Sequence, residues 1–178
     1  MLEIKRRSLE EIRKEVEKLR DRADRPVEPY IKELVIGLWW CGIVTESSCQ
    51  GHPNRGPRCP WVDIPYYEAE KLARIVSLQN SPEFFNGNKN KNIWIIQPGP
   101  FIRLMPENRS LPLEELQKRA VEFGLRLQRL PENWLQDKYS TVKVNPSMSL
   151  FSRHAFFILS GAKNKLCLFS NKVREQDS

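Results

Sequence analysis

The densest chemistry in the sequence is the run Ser47-Ser48-Cys49-Gln50-Gly51-His52, which sets a thiol and an imidazole three residues apart around a glycine, behind two hydroxyls. Those residue types support three kinds of chemistry. A thiol beside an imidazole or beside backbone amides ionises more readily, and the thiolate is a nucleophile. On that reading Cys49 and His52 are catalytic, and Asp63 on the next segment is the carboxylate available to orient the imidazole. Thiolate and imidazole are also zinc ligands, and Cys41, Cys49, His52 and Cys59 form a four-residue set. Its spacing is irregular where zinc sites usually show two close pairs, and Cys41 closes an apolar segment as a buried small residue does, so metal ligation is the alternative. In the third reading the thiol is inert. A glycine-shaped turn aims successive N–H groups into one concavity that receives an anion, with Ser47, Ser48 and Gly51 forming the cradle and Arg55 and Arg58 flanking it. Against all three stands a plain structural turn, in which Cys49 packs inward and His52 caps a carbonyl.

Any of these roles needs elements to hold the turn. Ser8-Leu9-Glu10-Glu11 has the spacing of a capping box, and Leu9, Ile12, Val16 and Leu19 fall on one face, predicting an amphipathic helix ended by Asp24 to Pro26. A second helix is expected from Glu28 to Trp40, with Gly42 placed to end it at positive φ. Ile43-Val44-Thr45 then reads as a strand entering the turn and Trp61-Val62-Asp63-Ile64 as a strand leaving it. A third helix is expected over Tyr66 to Leu78. Two strands, Ile93 to Ile96 and Phe101 to Leu104, are joined by the QPGP loop. The fourth helix follows Pro112, with Leu113, Leu116, Ala120, Phe123 and Leu127 as its stripe. Farther on, a helical turn around Trp134 and strands near Phe156 to Leu159 and Leu166 to Phe169 are expected. Helices and strands do not alternate regularly. The fold class is therefore α+β, a mixed or mainly antiparallel sheet with about four helices packed on it. Residues 1–25 form an N-terminal amphipathic helix and residues 26–178 a single α+β domain.

Composition narrows the partners. The 29 basic and 22 acidic residues leave a formal charge of +7, which favours an anionic partner such as RNA or a nucleotide. Lys89 and Lys91 extend the basic rim of Arg55 and Arg58, and His154 is a strand-end residue that stands as a second imidazole. Trp39, Trp40, Trp61 and Trp94 fall at core spacing rather than as a base-stacking series. The longest apolar run, Leu34 to Ile43, is far short of the ~18 residues of a membrane span. The charged start MLEIKRRSLEEIRKE is unlike a secretory signal, so a cytoplasmic protein without membrane partners is expected, and its four cysteines are not read as a disulfide framework. No P-loop, GxGxxG, HExxH or paired CxxC motif is present, so those classes lose support.

Asp24 to Val35 followed by Thr45 to His52 resembles short uncharacterised bacterial and phage proteins that carry a Ser-Cys-x-Gly-His turn after a helix. More distantly it resembles the start of the tRNA wybutosine-synthesising methyltransferase family, where a helix leads into a T-T-S-S-C-S-G-R strand and turn. The likeness covers about thirty residues, and a shared fold element does not transfer chemistry. It implies methyl transfer from S-adenosylmethionine to a modified guanosine in tRNA, and it singles out Ser47, Ser48, Cys49 and Gly51. His52 stands where that family has arginine, and an imidazole does not replace a guanidinium built for phosphate. The combined expectation is a ligand-binding protein with its site at Ser47 to His52, directed at RNA or a nucleotide, with S-adenosylmethionine or zinc as the cofactor. If it is an enzyme, it is a nucleotide-modifying transferase or a cysteine-dependent one. The alternative is a zinc-stabilised or purely structural interaction module without catalysis.

Overall fold

Ser8 opens the first helix, α1 (Leu9–Lys18), through the expected capping box. Its hydroxyl accepts from the Glu11 amide at 3.2 Å, and the Glu11 carboxylate accepts from the Ser8 amide at 2.6 Å. The structure, a computed structural model, describes residues 7–54, 56–79 and 93–131, which lie within one compact unit, Met1–Asp137. Arg55, Lys89, Lys91, His154, and the elements expected around Trp134, Phe156 to Leu159 and Leu166 to Phe169 lie outside the described residues. The first helix stops at Lys18, earlier than the expected stop at Asp24 to Pro26. The reason is local: the Asp21 carboxylate accepts from the amides of Ala23 and Arg25 at 2.8 and 2.9 Å, and Asp24 sits at a φ of 58°. That turn lets Arg20 pair with Pro26 as an isolated antiparallel bridge.

Pro29 starts α2 (Pro29–Trp40), whose apolar residues nearly encircle it and are buried accordingly. One side, Val35 and Ile36, receives Ile12 and Val16 of α1. The other, Ile31, Leu34 and Leu38, enters the main core. The helix ends in a Schellman motif: Gly42 has a φ of 71°, its amide donates to the Trp39 carbonyl, and the Ile43 amide donates to the Leu38 carbonyl, both at 2.9 Å. This corrects the expected strand at Ile43-Val44-Thr45. The Ile43 amide is spent on closing the helix and its side chain on the core, so no ladder forms there.

The strand forms instead in the run expected to be a turn. The strands are β1 (Ser47–Cys49), β2 (Trp61–Ile64), β3 (Trp94–Gln97) and β4 (Ile102–Pro106), in the order β1-β2-β4-β3 with every pairing antiparallel. A short 3-10 turn, Tyr66–Glu68, leads into α3 (Ala69–Leu78), and Pro112 precedes α4 (Leu113–Leu127). Among the described residues the fold is thus α+β, four α-helices with a four-stranded antiparallel sheet. None of these helices is long and apolar enough to cross a membrane.

One sheet face, built by Val62, Ile64, Trp94, Ile102 and Leu104, meets the main-core residues of α2, α3 and α4, with Trp94 stacked on Phe123 at 5.4 Å between ring centroids. At the crossing of α2 and α4 the backbones themselves touch. A Cβ added at Gly124 falls 2.2 Å from the Glu33 carbonyl, and one at Gly37 falls 2.6 Å from the Gly124 oxygen. The β3 strand is held at its start by a side chain: the Gln79 amide group donates to the Trp94 carbonyl at 3.0 Å and accepts from the Trp94 amide at 2.6 Å.

Candidate functional site

Cys49 closes β1, and the chain then bends over Gln50 and Gly51 to bring His52 back beside the start of α2. Gly51 is at a φ of 80°, and a Cβ there falls 2.8 Å from the Cys59 carbonyl carbon, so both the bend and the close approach require glycine. The residue the bend reaches is Glu28, the N-cap of α2. Its side chain makes no cap to its own helix. One carboxylate oxygen lies 2.7 Å from His52 Nε2, and the other accepts from the Gln50 amide at 2.8 Å. The Gln50 side chain returns the bond by accepting from the Tyr30 amide at 3.2 Å, which occupies one of the orphan donors of the helix. From the other side Gln117 of α4, a buried residue, donates to the carbonyls of Gln50 and Gly51 at 3.2 and 3.4 Å.

The result is a cluster of three donor types. One ligand atom from each of Glu28, Cys49 and His52 lies within 4.8 Å of the other two. The His52 and Glu28 side chains are 21% and 28% exposed, so a ligand can reach the cluster without unfolding it. The Gly51 amide donates to the Cys49 sulfur at 3.4 Å, which fixes the direction of the thiol side chain.

Of the residues singled out by sequence, Cys49, His52, Gly51 and the Ser48 backbone share this loop and strand. Asp63 is directed elsewhere. It receives Nε and Nη2 of Arg103 at 2.7 and 2.9 Å and the Ser47 hydroxyl at 3.1 Å, and the partner it was expected to be for His52 is Glu28. The anion cradle is also reshaped, because the Gln50 and Gly51 amides are engaged inside the cluster. Arg58 is exposed.

The four-residue zinc set is not assembled. Cys41 is buried in the main core with its sulfur 4.0 Å from the Leu127 carbonyl oxygen. Cys59 packs with Met105 and Leu116, and burial pushes its thiol above its ordinary pKa, with Arg109 and Arg103 acting in the opposite sense. Among the described residues the donor atoms that come within 4.8 Å of one another are those of Glu28, Cys49 and His52, and neither Cys41 nor Cys59 joins them. Glu28 is the member that sequence reasoning missed. Its signal was faint: an acid, a weak N-cap, sits at the cap position directly before a proline that starts a helix.

Comparison with protein-family models, with characterised proteins and with solved structures gives no match, so the site is read from its own geometry.

Proposed function

We propose that Glu28, Cys49 and His52 bind a zinc ion and that the protein is a zinc-centred ligand-binding protein, with the remaining coordination left to water or an anionic substrate. The observation that carries this reading is the mutual distance of the three donors. In a nucleophile relay the imidazole stands between acid and thiol, which separates carboxylate oxygen from sulfur by on the order of 7 Å, two hydrogen bonds plus the ring. Here those atoms lie within 4.8 Å. The three donors form a compact cluster instead of a line.

Sulfur, imidazole nitrogen and carboxylate oxygen together suit zinc. Metal sites also depend on outer hydrogen bonds that orient the ligands. The Gly51 amide on sulfur and the Gln50 amide on the second Glu28 oxygen are of that kind. A zinc ion with an open position polarises a bound oxygen or activates water. The formal charge of +7 supports a substrate of nucleotide or RNA character.

Metal analysis of protein purified without chelator tests the proposal. The expected result is about one zinc per chain, lost in Cys49→Ser and His52→Ala and retained in Cys41→Ala. Cobalt substitution should add a thiolate charge-transfer band that disappears in Cys49→Ser. Wild-type protein that takes up neither metal after incubation with an equimolar amount overturns the reading.

A further inference from the structure

The sheet face opposite the main core carries a second arrangement that continues from Cys49. The register sets Ser47, Asp63 and Arg103 in one row across β1, β2 and β4, and Cys49 and Trp61 in the adjacent row. Arg103 is fixed in this corner twice over. Asp63 takes Nε and Nη2, and the guanidinium carbon lies 4.0 Å over the Trp61 ring. A guanidinium has five N–H donors, and the two N–H on Nη1 find no acceptor among the described residues. The side chain is 33% exposed, and its charge is felt by the Cys49 and Cys59 sulfurs. Arg109, exposed, also acts on Cys59 from the loop after β4.

Charge balance gives the corner its selectivity. A divalent ion held by the Glu28 carboxylate and the Cys49 thiolate is neutralised, and Asp63 neutralises Arg103. Arg58 and Arg109 are both exposed, and neither has a carboxylate partner among the described residues. A guanidinium whose orientation is already set by a carboxylate and a ring loses little freedom when its outer edge meets a second oxyanion.

Resting on the zinc reading, we infer that the ligand of this site is recognised through an oxyanion, a phosphate ester or a carboxylate, with one oxygen at the metal and its charge met by Arg103 and Arg109. Phosphate and carboxylate share the chemistry that a guanidinium fork reads, and the two are separated by experiment.

The test is calorimetric titration of the zinc-loaded full chain with methylphosphonate and, separately, with acetate, zinc content being measured on the same samples. Tighter binding of methylphosphonate assigns a phosphate ester, and tighter binding of acetate a carboxylate. Arg109→Ala, a change at an exposed position, should weaken the preferred anion about tenfold, the scale of one lost charge-assisted hydrogen bond. Arg103→Lys should weaken it at least as much, because an ammonium cannot hold Asp63 and present an outer edge together. A chain that takes no zinc sinks both this inference and the zinc reading. A chain that takes zinc and ignores both anions, or whose Arg109→Ala and Arg103→Lys variants bind as wild type does, sinks this inference alone.

Discussion

Gly51 is the residue that the site tolerates least change in. At a φ of 80° an L side chain is strained, and the space its Cβ needs is taken by the backbone of Cys59 and the side chain of Leu113. Gly51→Ala is expected to lower unfolding stability by about 1–3 kcal/mol and to move His52 away from Glu28. Denaturant unfolding reads the first effect and zinc affinity the second, and an unchanged variant would show that the loop relaxes freely. Cys49 and His52 could be picked out in the sequence because thiols and imidazoles are rare and stood close together. Glu28 was hidden among 22 acidic residues and lies a whole helix away, so only the return of the chain reveals it. Asp63 looked equally suitable, but nothing in one dimension shows that Arg103 claims it. A separate acid, Asp21, gives a pH signature. The Arg25 guanidinium and amide hold its pKa at about 2, below the ordinary 3.8. Its contribution to stability is therefore present above pH 3.8 and is lost as pH falls through about 2. Carboxyl NMR titration should place Asp21 near 2, returning toward 3.8 in Arg25→Ala.

Helices were legible as elements because their apolar stripes and caps are local signals. The capping box at Ser8 and the glycine closing α2 both stand where expected. The strand at β1 was not, since β-branched residues at 43–45 outscore Ser-Ser-Cys by propensity alone. What decides it is competition for hydrogen bonds: Ile43 completes the Schellman motif, and bonding to β2 begins only at Glu46, whose amide donates to the Asp63 carbonyl, with the ladder proper starting at Ser47. The contact between α2 and α4 was likewise invisible, because two glycines inside helices look like weaknesses until the helices meet there. Gly124→Ala tests that contact. Better helix propensity contributes up to about 1 kcal/mol in its favour. The 2.2 Å clash with the Glu33 carbonyl opposes it, and since backbone cannot swing aside the expected net loss is at least about 2 kcal/mol. A urea midpoint equal to or above wild type would mean that the crossing is looser than drawn.

At the scale of the whole molecule, the uneven succession of helices and strands was enough to name an α+β fold with an antiparallel sheet. The strand order β1-β2-β4-β3 was out of reach, because register is written in contacts between distant segments. The first helix belongs to the same compact unit as the sheet: Ile12 and Val16 cover Val35 and Ile36, and Arg13 pairs with Glu33 while Gln128 of the α4 C-terminus bonds the Glu33 carbonyl. Removing residues 1–20 uncovers that apolar side of α2. The shortened chain should unfold at lower denaturant and self-associate, as gel filtration and light scattering would report. A monomer of wild-type stability would show that α1 is dispensable.

The strand that carries Cys49 is three residues long and lies at one end of the strand order, whereas Glu28 sits on a helix anchored in the core. On the zinc proposal, a metal ion shared between them would fasten the edge strand to the helix. A three-residue strand paired on one side is held by few backbone bonds, so on that proposal occupancy of the centre and closure of this strand would be linked. Amide exchange at residues 47–49 should slow on adding zinc while exchange in α2 stays unchanged, and zinc release should then keep time with the opening of that edge.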